Sequence, residues 1–463
     1  MGSLKDAQGE PLVAANAGVA AAYDGCVAAY LGARADTRVL LAALLAADPG
    51  CVLGHCLDGY LHMLASKRSS VALARESLAR AQSALPKDAA LRRESLHVTA
   101  LDAWSRGEMR EAAAVWDQLL ADFPRDAVAL KVSQFVLSYL GESARMLATA
   151  ARVATGWDAG VPGYGFVLGC HAYALEECGE YASAESIGCR AIEINPADIW
   201  AAHAVAHVRE MEGRMREGVE WIGALVPQWR PCSNFAMHLR WHEALFRLEL
   251  REHDGVLALY DADVRPKPTD EYLDVANAVS LLWRLEQNDV SVGSRWRELA
   301  DTARAHVDDH ALVFVDMHYL MALAAGGDGE SIAKFLASSE QLAREGRGTE
   351  AIVMASVGLP LANAIMAHRR GEYDRAVDLL APVRAHIRDI GGSHAQRDLF
   401  DQLLIDSAMR ARRWSIAQSL LAERTSQRPR NAWAWRHYAA ALEATNAPGA
   451  ADARRRVELL LAS

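Results

Sequence analysis

Two pairs of histidines stand four residues apart in this chain, His203 with His207 in HAVAH and His238 with His242 in HLRWH. On a helix, residues at i and i+4 project from nearly the same face, so each pair presents two imidazoles side by side. A neutral imidazole offers a lone pair to a metal ion, and near neutral pH it also takes up or releases a proton. If consecutive helices turn these faces toward one groove, the four rings converge. They are then candidate ligands for zinc or another divalent metal, and candidate catalytic acids and bases. His171, one helix pair earlier, is a fifth candidate catalytic imidazole. The local zinc-protease signature is absent, because HEALF lacks its final histidine and HAVAH has Ala204 where that motif needs glutamate. A histidine amid apolar residues also serves as a structural group bonded to a carbonyl or an acid, so the spacing locates a site without naming its reaction.

Other polar residues are candidates for ligand binding. Glu210 shares the broad face of His203, and Glu176 and Glu177 stand near His171, where they could stabilise a positive ring or face solvent. Trp241, with Trp200, Trp221 and Trp229, could stack on a planar ligand or fill the core between helices. Asp274 follows Asp270 by four residues and precedes Asn277, a pattern suited to a cation, an amine or an imidazole. His318, in FVDMHYL, has aromatic neighbours suited to a dry pocket wall. In GGSHAQRDLF, two glycines shape a turn and Ser393 can cap a helix that presents His394, Arg397 and Asp398. Arg397 could clamp a carboxylate, or Asp398 could be its internal partner.

Several chemistries lack their motifs. The sequence has no phosphate-binding glycine-lysine loop, no dinucleotide glycine fingerprint after a strand and no GxSxG elbow. The net charge is -10, with 49 basic and 59 acidic residues mixed along the chain, so no broad cationic footprint is expected and nucleic acid is not an expected partner. The seven cysteines form no CxxC pair, which points to reduced thiols. No basic leader followed by an apolar core opens the sequence and no segment reads as a bilayer span, so a cytoplasmic chain without membrane insertion is expected.

Helical repeats carry these residues. In ESLHVTALDAWSRGEMREAAAVWDQLLADFPRD, an apolar helix ends near Gly107, a second runs through Ala112 to Leu120, and Pro124 closes the unit. Gly179, Tyr181, Ala184 and Pro196 repeat that order, and Gly213 follows Gly179 by 34 residues. Gly371, Tyr373 and Ala376 repeat it again, as do Trp414, Ala417, Leu421 and Pro429. Earlier, Val71, Ala74, Leu78 and Ala81 recur at helical spacing before Pro86. DADVRPKPTDEY and AAGGDGE read as connections, and strand signals are thin. The expected organisation is an N-terminal segment and first helix over 1–36, a repeat array over 37–432 and a helical cap over 433–463, broken near Pro448.

HAYALEECGEYASAE, WAAHAVAHVREMEGR, HLRWHEALFRLE, DVANAVSLLWRLE and GGSHAQRDLFDQLL together resemble the tetratricopeptide repeat protein 38-like family, over about Thr37 to Leu461. The resemblance implies an all-α, divergent tetratricopeptide-like superhelix, an α-solenoid; it implies no particular reaction, cofactor or catalytic set. The expected function is a scaffold that binds a peptide, a protein segment or a small polar ligand in its concave groove. The alternative is a small-molecule enzyme that uses the central histidines and carboxylates for acid/base or metal-assisted chemistry. Oligomeric state is open, since an exposed apolar terminal repeat would favour assembly and a polar one a monomer.

Overall fold

The computed structural model describes residues 4–85 and 92–462; Pro86 lies outside them. Almost every element is an α-helix, and the helices alternate as antiparallel pairs along the chain. The pair Tyr164–Glu176 and Tyr181–Ile194 turns at Gly179, and the pair Ile199–Glu212 and Met215–Leu225 turns at Gly213. Both glycines take positive φ, 82° and 71°, a conformation that a side chain would strain. The repeat spacing therefore marks real turns.

Two kinds of helix differ in burial for reasons visible in their residues. Ser143–Ala154 buries a single stripe, Met146, Thr149, Ala150 and Val153, as a helix with one wet face does. Ile199–Glu212 instead buries every residue from Ile199 to Val208. Its small residues let neighbours approach closely: a Cβ built on the adjacent Gly188 would stand 2.6 Å from Val205 Cγ2. Helices of the second type form the inner layer, and the polar residues they carry are buried.

The array closes on itself. His394–Arg410 is capped by Ser393, as the sequence predicts, with Gln396 completing a capping box, and packs over the central inner helices. Its first residues are tied down where the His394 backbone N–H donates to Glu177 Oε1 at 3.0 Å and the Arg284 guanidinium donates to the Ala395 carbonyl at 2.8 Å. One repeat later, Glu249 Oε1 accepts from Asn431 Nδ2 and from the Trp433 backbone N–H, each at 2.9 Å. Ala432–Ala444 and Ala450–Ala462 end the chain, with Pro448 between them.

Two features depart from the sequence expectations. Leu4–Lys5 and Pro11–Leu12 form a short antiparallel hairpin, too brief to carry strand periodicity. Thr349–Arg369 is one continuous helical stretch of 21 residues with mean hydropathy 1.6, long and apolar enough to cross a bilayer by length and composition, which corrects the expectation that no segment qualifies. Most of that stretch is buried against its neighbours, as in a core helix. Its middle widens into a π turn, Met354–Gly358, just before Pro360, which has no N–H to continue the α pattern.

Candidate functional site

The inner helices Ile199–Glu212 and Phe235–Glu249 lie side by side and bring both histidine pairs together. Asp198 fixes the start of the first by accepting from the backbone N–H groups of Trp200 and Ala201, each at 3.1 Å. Centroid separations are 4.2 Å for His203 and His207, 4.9 Å for His203 and His238, and 4.6 Å for His207 and His242. One potential ligand atom from each of the four rings lies within 4.8 Å of the others. None of the four side chains is more than 3% exposed. This is a group capable of coordinating a divalent metal.

The outer nitrogens of three rings are held. His207 Nδ1 donates to Glu176 Oε2 at 3.1 Å, His242 Nδ1 donates to Glu210 Oε2 at 3.0 Å, and His238 Nδ1 lies 3.0 Å from Asn277 Oδ1. A proton on Nδ1 leaves the lone pair of a neutral ring on Nε2. Among the described residues the buried Nε2 atoms of His207 and His242 and the Nδ1 of His203 have no hydrogen-bond partner, while the Nε2 atoms of His203 and His238 face each other at 3.0 Å. Burial and the neighbouring rings push the pKa values of His203, His238 and His242 well below the usual imidazole value. Burial acts on His207 in the same sense, but the Glu176 carboxylate more than offsets it and its pKa is raised. Burial raises the pKa of Glu210.

The remaining candidates divide. His171 is half-buried, makes no hydrogen bond, ion pair or ring contact among the described residues, and does not join the centre. It stands two residues from Tyr173, about 200° around the helix, and Tyr173 is the side chain that faces the rings, 5.6 Å from His203. Trp241 is a wall: its indole stacks on His238 at 5.2 Å and its Nε1 donates to Ser280 Oγ at 3.0 Å. Asp274 does not reach the histidines; it accepts from Thr269 Oγ1 at 2.7 Å and Asn234 Nδ2 at 3.2 Å, while Asn277, one turn on, reaches His238. His318 is structural, with Nδ1 donating to the Phe314 carbonyl at 2.7 Å and burial pushing its pKa down to about 4.

The His394 cluster ties helices together. His394 Nε2 contacts the Glu177 carbonyl at 2.8 Å, and Arg397 donates to the Gly392 carbonyl and to Glu177 Oε2. Arg397 is thus already engaged, which corrects its proposed role as a clamp for a ligand carboxylate. Asp398 is not its partner; Asp398 accepts two hydrogen bonds from Arg424, at 2.6 and 2.8 Å.

The sequence reading gave Glu176 too little weight and missed Arg284. The signal for the glutamate was present, since Glu176 and Glu210 each precede a repeat-turn glycine, Gly179 and Gly213, by three residues. The same diagonal contact then recurs, from Glu176 to His207 over 31 positions and from Glu210 to His242 over 32. On one side of the centre a cavity of about 50 Å³, walled by Phe135, Tyr173, Trp200 and Phe235, reaches His203 and His238.

No family model matches the chain. Among solved structures it is similar to the human IFIT1 dimer with m7Gppp-AAAA, at 13% identity and a TM-score of 0.42, over 89% of this chain and 90% of that one. It is also similar to a monomeric IFIT1 mutant with Gppp-AAAA, at 14% identity and a TM-score of 0.40, over 88% of this chain and 90% of that one. Likeness at this level assigns no ligand here. The expectation that nucleic acid is excluded is nevertheless corrected, because these matched structures hold nucleotide ligands. Net charge sums over the whole surface, whereas a ligand meets only local groups. By its paired, stacked helices the chain is an all-α, tetratricopeptide-like repeat protein.

Proposed function

We propose that the chain is a metal-assisted enzyme for a small polar substrate, with His203, His207, His238 and His242 holding one divalent first-row ion. The observation that carries this reading is the orientation of the rings: oxygen acceptors hold the Nδ1 side of three, while the inward Nε2 atoms of His207 and His242 have no partner among the described residues and those of His203 and His238 meet only each other. Carboxylate-to-histidine contacts of this kind orient metal ligands and raise their basicity. Charge supports the same reading, because a buried dication needs compensation and Glu176 and Glu210 provide two carboxylates beside the four rings. An ion bound there would supply Lewis-acid chemistry, and the aromatic-walled cavity beside His203 and His238 offers the substrate a route.

The peptide-scaffold reading has less support, since the inner face of the central repeats packs against His394–Arg410. Membership of the tetratricopeptide repeat protein 38-like family rests on the same central segments that carry the centre. Seven free cysteines suit a reducing, cytoplasmic location.

Metal analysis of the chain purified without chelator tests the reading, followed by titration of the stripped protein with Zn²⁺, Fe²⁺ and Co²⁺. The expected result is about one ion per chain, with a cobalt spectrum typical of nitrogen ligation, lost in a variant carrying His203→Leu and His238→Leu. A stripped chain that binds none of the three ions would end the proposal.

A further inference from the structure

A second cavity adjoins the histidine centre. About 60 Å³ in volume, it is bounded by Phe235–Glu249, Tyr272–Gln287, His394–Arg410 and the last repeats. That is room for several water-sized groups. Five arginines line it, Arg251, Arg284, Arg424, Arg428 and Arg436, against three acids, Glu210, Glu249 and Asp398.

The acids are already engaged. Asp398 takes the two bonds from Arg424 and lies 3.2 Å from Arg428. Glu249 takes Asn431 and Trp433, and Glu210 takes His242. Arg284 is left over: it is 3% exposed and has no ion-pair partner among the described residues, donating only to the Ala395 carbonyl at 2.8 Å and the Ser280 carbonyl at 3.4 Å. Burial pushes its pKa down to about 10. Arg436 likewise has no ion-pair partner among the described residues; it donates to Asn288 Oδ1 at 2.6 Å. The buried Trp433 Nε1, on the same cavity wall, has no acceptor among the described residues. A buried guanidinium without an anion is costly, and its planar fork matches the two oxygens of a carboxylate or phosphate.

We infer that this cavity is a binding site for a small oxyanion, a carboxylate or phosphate group, held by Arg284 and Arg436. The site stands on its own residues; its role as the seat of a substrate's anionic group rests on the proposed function. The link is Glu210, which forms part of the cavity wall and also holds His242 Nδ1. A substrate anchored by its anionic end here would lie beside the centre.

Calorimetric titration of the full, chelator-treated chain with inorganic phosphate and, separately, with succinate tests the inference, with ionic strength balanced by chloride. Saturable binding is expected for at least one titrant at or below about 1 mM. Binding of phosphate alone assigns phosphorylated ligands, and binding of succinate alone assigns carboxylates. Arg284→Gln and Arg436→Gln are each expected to weaken binding about tenfold or more. If Arg284→Gln fails to fold, Arg436→Gln, altered at a less buried position, decides. Saturation by neither titrant, or unchanged affinity in the folded variants, overturns the inference. Because the titration uses stripped protein, oxyanion binding without metal binding would sink only the proposed function, and the reverse only this site.

Discussion

Two regions bury polar side chains equally deeply and treat them in opposite ways. Near the N-terminus, Arg93 pairs with Asp6 at 2.7 Å and Asp126 at 2.6 Å, His97 bridges Asp126 at 2.9 Å and Tyr60 at 3.0 Å, and Trp116 donates to Tyr60 at 3.2 Å. Burial alone would raise the Asp126 pKa, yet Arg93 and His97 hold it well below the carboxylate range. Each of these side chains has a protein partner, and the network locks the N-terminal hairpin to the array. In the central repeats the same depth surrounds His207 Nε2, His242 Nε2 and His203 Nδ1, which have none among the described residues. A satisfied buried network stabilises a fold, whereas buried polar atoms left without partners need another account, which the proposed ion supplies.

The largest effect separating the two regions is expected at Arg93. Arg93→Met leaves two buried carboxylates without their counter-ion and is expected to cost about 3–5 kcal/mol in urea unfolding. If the stripped chain unfolds at an unchanged midpoint, the N-terminal network is not what holds that region. Next comes metal linkage: Zn²⁺ at a hundred times its Kd is expected to add about 2.7 kcal/mol to the wild-type chain and nothing to the variant carrying His203→Leu and His238→Leu. Equal stabilisation of both proteins would place the ion elsewhere.

A smaller effect is expected from His318, which is satisfied at Nδ1 but buried. Its folded pKa of about 4 lies below the unfolded value, so its contribution is present above about pH 6.5 and is lost as pH falls toward 4. From pH 6.5 to 5 it is expected to account for about 1.5 kcal/mol of lost stability, a slope that His318→Asn should remove. Identical pH profiles for the two proteins would refute this. The smallest change belongs to the double histidine variant in chelator: leucine at both positions loses the His238–Asn277 bond but also removes the unpartnered His203 Nδ1, and is expected to shift stability by less than about 1 kcal/mol. A loss approaching that of Arg93→Met would mean that the central histidines are structural after all.

Much of the scaffold was legible in the chain. Turn glycines 34 residues apart state the repeat, and the i,i+4 histidines state that two imidazoles share a face. The partners of those rings were less legible. Spacing favours Asp274, four residues after Asp270, as the candidate, and only the relative rotation and shift of two packed helices brings Asn277 instead to His238. His171 looked equivalent to the other histidines, yet it sits at a different angular position from Tyr173, the residue that occupies its repeat's inward site.

The helices, their turns and the residues that share a face follow from local periodicity and from the φ that only glycine adopts cheaply. Which faces meet follows from packing between repeats. That packing closed His394–Arg410 over the inner helices, committed Arg397 to Glu177 and Asp398 to Arg424, and left Arg284 and the four imidazoles facing groups that no spacing could name. Such meetings depend on the curvature that accumulates from one repeat to the next, a property of the packed array and not of any single segment.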